Sequence, residues 1–206
     1  MRLYLASTSP ARLATLRAAG IEPIALAPGV DEEAAVTSAR PLSPPEMVQL
    51  LARLKAEAVV AQHPDLDGLV FGGDSAFEID GVVYGKPHEP AVARARWLAQ
   101  RGRSGRLHSG HWLIDARADG TGRAVGQAAV ATVTFASDIT EAEIDAYVAT
   151  TEPLEVAGAF TIDAKGAAFI ESIDGDPSTV IGLSIPTLRN LVRSLAIEWP
   201  DLWNRS

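Results

Sequence analysis

Residues 69–87 read Leu-Val-Phe-Gly-Gly-Asp-Ser-Ala-Phe-Glu-Ile-Asp-Gly-Val-Val-Tyr-Gly-Lys-Pro, and the other elements of the chain are arranged around this segment. The apolar run 69–71 predicts a short buried strand. Gly72 and Gly73 follow it, and glycines there allow a sharp turn or a close approach of the backbone to a ligand. Because ligands in open α/β sheets gather at the carboxyl ends of strands, Asp74, directly after the glycines, is a candidate functional residue.

The Asp-Gly pair at 80–81 predicts a tight hairpin turn between strands at 76–79 and 82–84. Such a hairpin would return Lys86, which follows its second arm, toward the strand end that carries Asp74. A cation beside a carboxylate would suit a site for an anionic ligand. Taken alone, the segment is equally consistent with an aspartate that caps a turn and a solvated lysine.

The composition is that of an ordinary globular protein. Of 206 residues, 47% are hydrophobic and 21% are charged, and a chain of this length can form one domain of two lobes. No window approaches the roughly 18 consecutive apolar residues of a membrane helix. The first residues also lack the long apolar centre of a signal peptide. We therefore expect no membrane association and no signal peptide.

Charge and cysteine content argue against several classes of function. The chain has no cysteine, which removes disulfides, thiol catalysis and thiolate metal sites and predicts a reducing, cytoplasmic location. Its net charge of −8 argues against a nucleic-acid polymer as partner, since such a partner requires a basic face. A small anionic substrate stays possible where local cations and a divalent metal ion offset the overall charge.

The N-terminal segment predicts a helix start that could bind an anion. Residues 2–6 are expected to form a strand, and Gly20 is expected to end the helix that follows. Ser9 is in the N-cap position and Pro10 is the first helical residue. Free N–H groups and the helix dipole favour an anion there, and Arg12 adds a cation in the first turn. Simple capping by Ser9 explains the same residues without any ligand.

Residues 31–60 contain an acidic triplet and a helix with a lysine among its apolar positions. The triplet Asp-Glu-Glu at 31–33 predicts a solvated acidic loop, which could hold a hard cation if it lay over the same site. Ser43 and Glu46 form a capping box, which opens a helix with core positions at Met47, Leu50, Leu51, Leu54 and Ala58. Lys55 is expected at the edge of this buried stripe, where it would extend to solvent or reach into a site.

The remaining elements are predicted from hydrophobic periodicity, caps and turn residues. They are a strand at 24–27, a helix at 89–99, a polar loop at 101–106, strands at 107–115 and 125–136, a helix from 141 to about 150, a glycine-rich rim of short strands at 155–183 and a last helix at 184–195. His108 and His111 fall on opposite faces of a strand, so they form a poor metal pair. Trp199 and Trp203 are expected to anchor the C-terminal segment.

Several short motifs are spread along nearly the whole chain. They are Leu5-Ala6-Ser7-Thr8-Ser9-Pro10-x-Arg12, Val30-Asp31-Glu32, the helix with Lys55, Gly73-Asp74-Ser75, Gly85-Lys86-Pro87, Glu141-x-x-Ile144-x-x-Tyr147, Glu152-Pro153-Leu154-x-x-Ala157-Gly158-Ala159-Phe160 and Gly175-Asp176-x-x-x-Val180-x-Gly182-Leu183. In this order they resemble the motifs of the Maf-like nucleoside triphosphate pyrophosphatases. Each motif is short, but their number and order make the resemblance specific.

The resemblance implies an α/β fold with a mixed twisted sheet, flanking helices and two lobes around a central cleft. It also implies a homodimer, a need for Mg²⁺ or Mn²⁺, and hydrolysis of nucleoside triphosphates to a nucleoside monophosphate and pyrophosphate, as a house-cleaning enzyme for non-standard nucleotides. Asp74 would activate water, and Glu32 would help it to hold the metal. The residues that would bind the triphosphate are Lys55, Lys86, Arg12, Ser7, Ser9 and Ser75.

Two positions depart from the commonest family pattern. Ala11 stands where the family usually has the first of two adjacent arginines, so one phosphate or base contact is missing and a base pocket is more open. Asp163 stands where the branch acting on dTTP and UTP has glutamine. A carboxylate only accepts hydrogen bonds, so Asp163 would suit the N1–H and N2–H₂ donors of guanine. An acidic residue there, and the Gly-Asp-Pro-x-Thr run at 175–179, resemble the branch acting on 7-methyl-GTP.

Two other functions stay open at this point. Family members have been linked to division arrest, and a non-catalytic nucleotide-binding regulator could keep the cations and lose the catalytic base. The presence of both Asp74 and Glu32 favours catalysis over that function. A metal-dependent phosphatase would use similar residues but would release orthophosphate directly instead of pyrophosphate.

Overall fold

The fold is described from a computed structural model, which places residues 1–39 and 41–205. The strands are β1 (Leu3–Ala6), β2 (Ile24–Ala25), β3 (Leu69–Ile79), β4 (Val82–Tyr84), β5 (Ser104–Asp115), β6 (Ala124–Phe135) and β7 (Ile170–Asp174). The α-helices are α1 (Pro10–Ala18), α2 (Glu32–Ala39), α3 (Pro44–Gln62), α4 (Pro90–Gln100), α5 (Glu141–Ala149), α6 (Pro177–Ile181) and α7 (Ile185–Ser194).

The seven strands form one mixed sheet in the order β2-β1-β3-β5-β6-β7, with β4 paired to β3. The predicted α/β class with a mixed sheet and helices is therefore confirmed. The chain divides into two compact units. The single domain and the central cleft stay predictions. Within residues 1–39 and 41–205, no helix combines the length and the hydropathy that a membrane span requires.

The first unit comprises Met1–Asp74, Ser109–Ala129 and Gly182–Ser206. At its centre β1 pairs in parallel with both β2 and β3. Apolar side chains of β1 and β3 pack against α1 and α7 in a core that includes Leu3, Leu5, Leu16, Leu69, Phe71, Leu188 and Val192. Trp199 also packs against this core, whereas Trp203 is more than half exposed. The predicted anchoring is therefore confirmed for Trp199.

The second unit comprises Ser75–His108 and Val130–Ile181. The predicted hairpin is confirmed, because β3 and β4 pair antiparallel around Asp80 and Gly81. Their φ angles of 51° and 78° are those of the left-handed turn that suits a two-residue hairpin. The core is largely aromatic, with mostly edge-to-face contacts among Phe77, Trp97, Phe135, Tyr147, Phe160 and Phe169.

The glycines before Asp74 lie inside a strand, so the prediction of a possible turn there is wrong. β3 runs without interruption through Gly72, Gly73 and Asp74. A Cβ on Gly72 would lie 2.1 Å from the carbonyl oxygen of Ala52 and 2.9 Å from the amide nitrogen of Ala56, both in α3. The absent side chain therefore lets a helix backbone approach the strand, and Asp74 is an internal strand residue.

The buried face of α3 is rotated from the predicted one. Of the predicted core positions only Leu51 is buried, while Met47, Leu50, Leu54 and Ala58 are half-buried. The buried residues are Val48, Leu51, Ala52, Lys55, Ala56 and Val59. Lys55 therefore lies in the middle of the buried stripe and not at its edge.

Three further predictions are wrong in detail. The acidic triplet is not a loop, because α2 begins at Glu32 and Asp31 Oδ1 accepts a hydrogen bond from the backbone N–H of Ala34 at 3.0 Å. β5 begins at Ser104, inside the predicted polar loop. The rim at 155–183 contains short 3-10 helices as well as β7 and α6.

Candidate active site

Asp74 and Lys55 form a buried ion pair in the first unit. Lys55 Nζ lies 2.6 Å from Asp74 Oδ1 and 2.8 Å from Glu32 Oε1. The side chains of Lys55 and Asp74 are 8% and 12% exposed, whereas half of the Glu32 side chain is exposed. One ammonium group thus joins the two carboxylates that were predicted to act together.

The close packing of α3 on β3 positions this pair. Because Gly72 has no side chain, the backbone of β3 approaches Ala52 and Ala56 of α3. Lys55 lies on the same buried face of the helix, so its stem runs along apolar surface. Its ammonium group then reaches Asp74, two residues beyond Gly72. Of the two predicted alternatives for Lys55, the structure therefore excludes extension to solvent, and its role in a site stays a prediction.

Arg12 supplies a second buried cation. Its Nη1 donates to Ser7 Oγ at 3.2 Å, and its Nε donates to the carbonyl oxygen of Gly182 at 2.9 Å. The backbone N–H of Arg12 donates to Ser9 Oγ at 3.4 Å, so the capping role predicted for Ser9 is confirmed. A Cβ on Gly73 would lie 3.1 Å from Arg12 Nε, so the guanidinium passes directly beside β3.

Burial and charge act in opposite directions on these groups. Burial raises the pKa of Asp74 above its ordinary value, although the charges of Lys55 and Arg12 act to lower it. Burial likewise lowers the pKa of Arg12, against the opposing effect of Asp74 and Glu32. Arginine nevertheless stays charged in proteins. Asp74 is therefore a stronger proton acceptor than an ordinary aspartate, as a general base requires.

A buried histidine holds the segment that accepts the hydrogen bond from Arg12. His111 Nε2 accepts from the backbone N–H of Ser184, which caps α7, at 2.8 Å, and His111 Nδ1 lies 3.2 Å from the carbonyl oxygen of Gln127. These partners assign the neutral tautomer with its proton on Nδ1. Sequence reasoning missed this role, and no local signal could have shown it, since His111 and Ser184 are 73 residues apart.

Ser75, Lys86 and Asp163 belong to the second unit. Lys86 is exposed, with its Nζ 4.0 Å from Glu155 Oε2. Asp163 is also exposed. Their contacts with a substrate stay predictions, as do the catalytic and binding roles assigned to the residues of the first unit.

Two carboxylates of the site are candidate ligands for a divalent cation. Among residues 1–39 and 41–205, no group of three or more His, Cys, Asp and Glu side chains is placed to hold a metal ion. Two carboxylates, Glu32 and Asp74, do come together at one ammonium group. Mg²⁺ commonly takes one or two carboxylates and completes its shell with water and phosphate oxygens, so this pair of donors suits Mg²⁺ or Mn²⁺.

Known proteins are similar to this chain over nearly its whole length. The family model described as Maf-like protein matches residues 2–195. A nucleoside triphosphate pyrophosphatase of Leifsonia xyli subsp. xyli is 67% identical, over 100% of this chain and 98% of its own. Another, of Salinispora tropica, is 51% identical, over 100% of this chain and 88% of its own.

Among solved structures, a nucleoside-triphosphatase / dITP/XTP pyrophosphatase from Mycobacterium abscessus covers 82% of this chain and 93% of its own. Its identity of 17% and TM-score of 0.39 are too low for a functional comparison. The sequence similarity, in contrast, spans the segments that carry Arg12, Lys55 and Asp74. It confirms the resemblance stated above, and the chain belongs to the Maf-like protein family.

Proposed function

We propose that the protein hydrolyses nucleoside triphosphates at the bond between the α- and β-phosphates, giving a nucleoside monophosphate and pyrophosphate. The observation that carries this proposal is the buried Asp74, which has a raised pKa and pairs with Lys55. The relatives that are 67% and 51% identical bear the name of this activity. One water molecule is consumed: its oxygen bonds to the α-phosphorus as the bond to the bridging oxygen breaks.

The residues of the first unit suit this reaction because it needs positioning and charge neutralisation. Asp74 accepts a proton from the attacking water. Lys55 and Arg12 offer positive charge to the phosphoryl oxygens, on which negative charge develops. Ser7 lies just before α1, where free N–H groups favour a phosphate. The family resemblance implies that Lys86 also binds the triphosphate.

Glu32 and Asp74 would hold the divalent cation, either Mg²⁺ or Mn²⁺. When bound, such an ion neutralises charge on the triphosphate and polarises the phosphoryl oxygens. Glu32 is suited to this role because it is half exposed at the start of α2 and already contacts the Lys55 ammonium group at 2.8 Å.

We also propose a bias toward guanine-type bases, read by Asp163. An ionised carboxylate matches the two adjacent donors on the N1–H and N2–H₂ edge of guanine. A pyrimidine carbonyl facing it would be unsatisfied, which costs roughly 1–3 kcal/mol for a buried polar group. Asp163 is exposed and so accessible to a ligand. GTP and 7-methyl-GTP are therefore expected to react faster than dTTP and UTP, which suits the removal of modified nucleotides.

The reaction is tested by identifying the products from GTP in the presence of Mg²⁺. We expect GMP and pyrophosphate in equal amounts. GDP and orthophosphate would instead indicate a phosphatase. Binding of GTP without turnover of any nucleotide in a panel would indicate a non-catalytic regulator.

The base preference is tested by kcat/KM for GTP, 7-methyl-GTP, dTTP, UTP and CTP. The wild type is compared with Asp163→Gln, whose side chain offers one donor and one acceptor and so matches uracil and thymine. We expect the ranking to shift from guanine bases toward dTTP and UTP. A wild type that prefers dTTP, or a variant with the same ranking, would show that Asp163 does not read the base.

The assembly and the location stay predictions. The family resemblance predicts a homodimer, and sedimentation velocity of the purified chain would measure it. The absence of cysteine is consistent with a cytoplasmic location.

A further inference from the structure

Glu152 joins the two ends of segment 161–166, which carries Asp163, by hydrogen bonds. Its Oε1 accepts hydrogen bonds from Thr161 Oγ1 at 2.6 Å and from the backbone N–H of Gly166 at 3.0 Å. Its Oε2 accepts from the backbone N–H of Lys165 at 3.3 Å. The donors lie on both sides of Asp163 in the chain, so one carboxylate holds both flanks of the exposed residue.

Tyr147 fixes the same carboxylate from the side of the core. Tyr147 Oη donates to Glu152 Oε1 at 2.9 Å, and its ring packs against Trp97 among the buried aromatic residues. Burial raises the pKa of Tyr147, so its hydroxyl stays protonated and remains a donor. Glu152 is thus tied to α5 as well as to the segment that it closes.

The two ends of segment 161–166 meet closely. A Cβ on Gly166 would lie 2.6 Å from the carbonyl oxygen of Thr161 and 2.6 Å from Tyr147 Oη. Residues 161–164 belong to no helix or strand. Because these residues have no strand pairing, hydrogen bonds to Glu152 hold the segment in place. Asp163 lies at its exposed tip.

The charge of Glu152 is essential to this arrangement. Its partial burial acts to raise the pKa, but the donors from Thr161, Gly166 and Tyr147 outweigh that effect and lower it. An ionised carboxylate offers about four acceptor sites and no donor, which matches the donors that point at it. A glutamine has the same shape but would direct an N–H₂ group at one or more of these donors.

We propose that Glu152 is a positioning residue that fixes how segment 161–166 presents Asp163 to the nucleobase, and thereby sets base selectivity. The proposal rests on the proposed function, in which Asp163 reads the base. Glu152 acts through the segment and not through the substrate. Its loss should therefore change the ratio between bases more than the rate for a poorly recognised base.

The test compares kcat/KM for GTP and dTTP in the wild type, Glu152→Gln and Glu171→Gln. The last variant makes the same change at an exposed glutamate of β7 in the second unit. We expect Glu152→Gln to lower the GTP-to-dTTP ratio by roughly tenfold, within the hundredfold that a misplacement of about 1 Å can cost. Glu171→Gln should leave the ratio unchanged.

A double variant shows whether Glu152 acts through Asp163. Asp163→Ala alone should lower the ratio, and adding Glu152→Gln should lower it no further, because coupled residues are not additive. Amide hydrogen exchange of Glu152→Gln should quicken in segment 161–166. If that variant does not fold, Thr161→Val, which removes one donor and keeps the volume, should shift the ratio in the same direction.

The outcomes separate this proposal from the one on which it rests. If Asp163→Ala leaves the ratio unchanged, the base reading fails and the selectivity role of Glu152 fails with it. If Asp163→Ala lowers the ratio but Glu152→Gln lowers only the melting temperature, base reading stands and Glu152 is purely structural.

Discussion

Asp74 and Asp115 are two buried carboxylates of the first unit whose pKa values are shifted in opposite directions. Their side chains are 12% and 0% exposed. Asp115 accepts two hydrogen bonds from the guanidinium of Arg117, at 2.7 and 2.9 Å, and others from the backbone N–H and hydroxyl of Thr121. The bonds from Arg117 outweigh burial and hold the pKa of Asp115 far below its ordinary value.

Asp74 differs in the balance between burial and its hydrogen-bond donors. Its ammonium partner, Lys55, is shared with Glu32, and burial dominates, so the pKa of Asp74 is raised. Many hydrogen-bond donors lower the pKa of a carboxylate, which then stabilises a loop and is a weak base. Burial with a shared cation leaves the pKa higher, so such a carboxylate is better able to accept a proton. The donor count therefore separates the structural group from the catalytic candidate.

The largest effect is expected from Asp74→Asn, which removes the proton acceptor but keeps the shape. Loss of a general base should lower kcat by about 10²–10⁴-fold, while nucleotide binding is retained. Steady-state kinetics and calorimetric binding of GTP measure the two effects. The control is Asp115→Asn, assayed where it is folded, which should keep its turnover. Near-normal turnover of Asp74→Asn would remove Asp74 from the role of base.

Lys55→Met should follow, because it removes the shared cation and keeps the apolar stem. We expect kcat and kcat/KM to fall together by about 10²–10³-fold, the usual effect of losing one group that stabilises the transition state. Lys86→Ala tests the cation of the second unit in the same way. A change confined to the melting temperature, with intact kinetics, would assign the altered lysine a structural role.

Asp115→Asn should affect stability and not catalysis. It weakens the bonds to Arg117 and Thr121, and hydrogen bonds to charged groups are worth about 1.5–3 kcal/mol each. We expect the free energy of unfolding to fall by roughly that amount for one such bond. Urea denaturation of wild type and variant measures the difference. A loss of turnover in fully folded Asp115→Asn would break the proposed contrast with Asp74.

The smallest effect is the pH dependence of stability, measured without divalent metal. The pKa of Asp74 is raised on folding, so it destabilises the fold as pH rises from the unfolded value of about 3.9 to its folded pKa. The pKa of Asp115 is lowered, so its stabilising effect is present above about 3.9 and is lost as pH falls. Denaturation is measured at several pH values. Relative to wild type, the free energy of unfolding of Asp74→Asn should rise with pH, and that of Asp115→Asn should fall. The same sign in both would contradict the comparison.

Local signals made much of the fold predictable from the sequence. The cap at Ser9 and the Asp80-Gly81 turn depend on neighbouring residues, so the pattern indicates them directly. The prediction of the buried face of α3 was wrong because half-buried Leu50 and Leu54 are as apolar as the buried residues beside them. Periodicity alone cannot separate a half-buried face from a fully buried one.

The site was predictable in its residue types and not in its packing. The resemblance assigned Asp74, Glu32 and Lys55 to one site but did not predict the ion pair between Lys55 and Asp74. Gly72 was interpreted as part of a turn or ligand contact, and its contact with α3 depends on a helix distant in the chain. The support of Gly182 by Arg12 and of Ser184 by His111 joins residues far apart in sequence. Such contacts leave no local pattern.

The hydrogen bond from Arg12 to Gly182 has a consequence for synthesis on the ribosome. The two residues are 170 positions apart. At about 5–20 residues per second, the acceptor is added roughly 10–35 s after the donor. All residues of the second unit precede Gly182, so that unit can fold before the first unit has its last segment. A nascent chain would therefore lack the hydrogen bond that fixes Arg12, and we expect the proposed activity to begin only after Gly182 has left the exit tunnel.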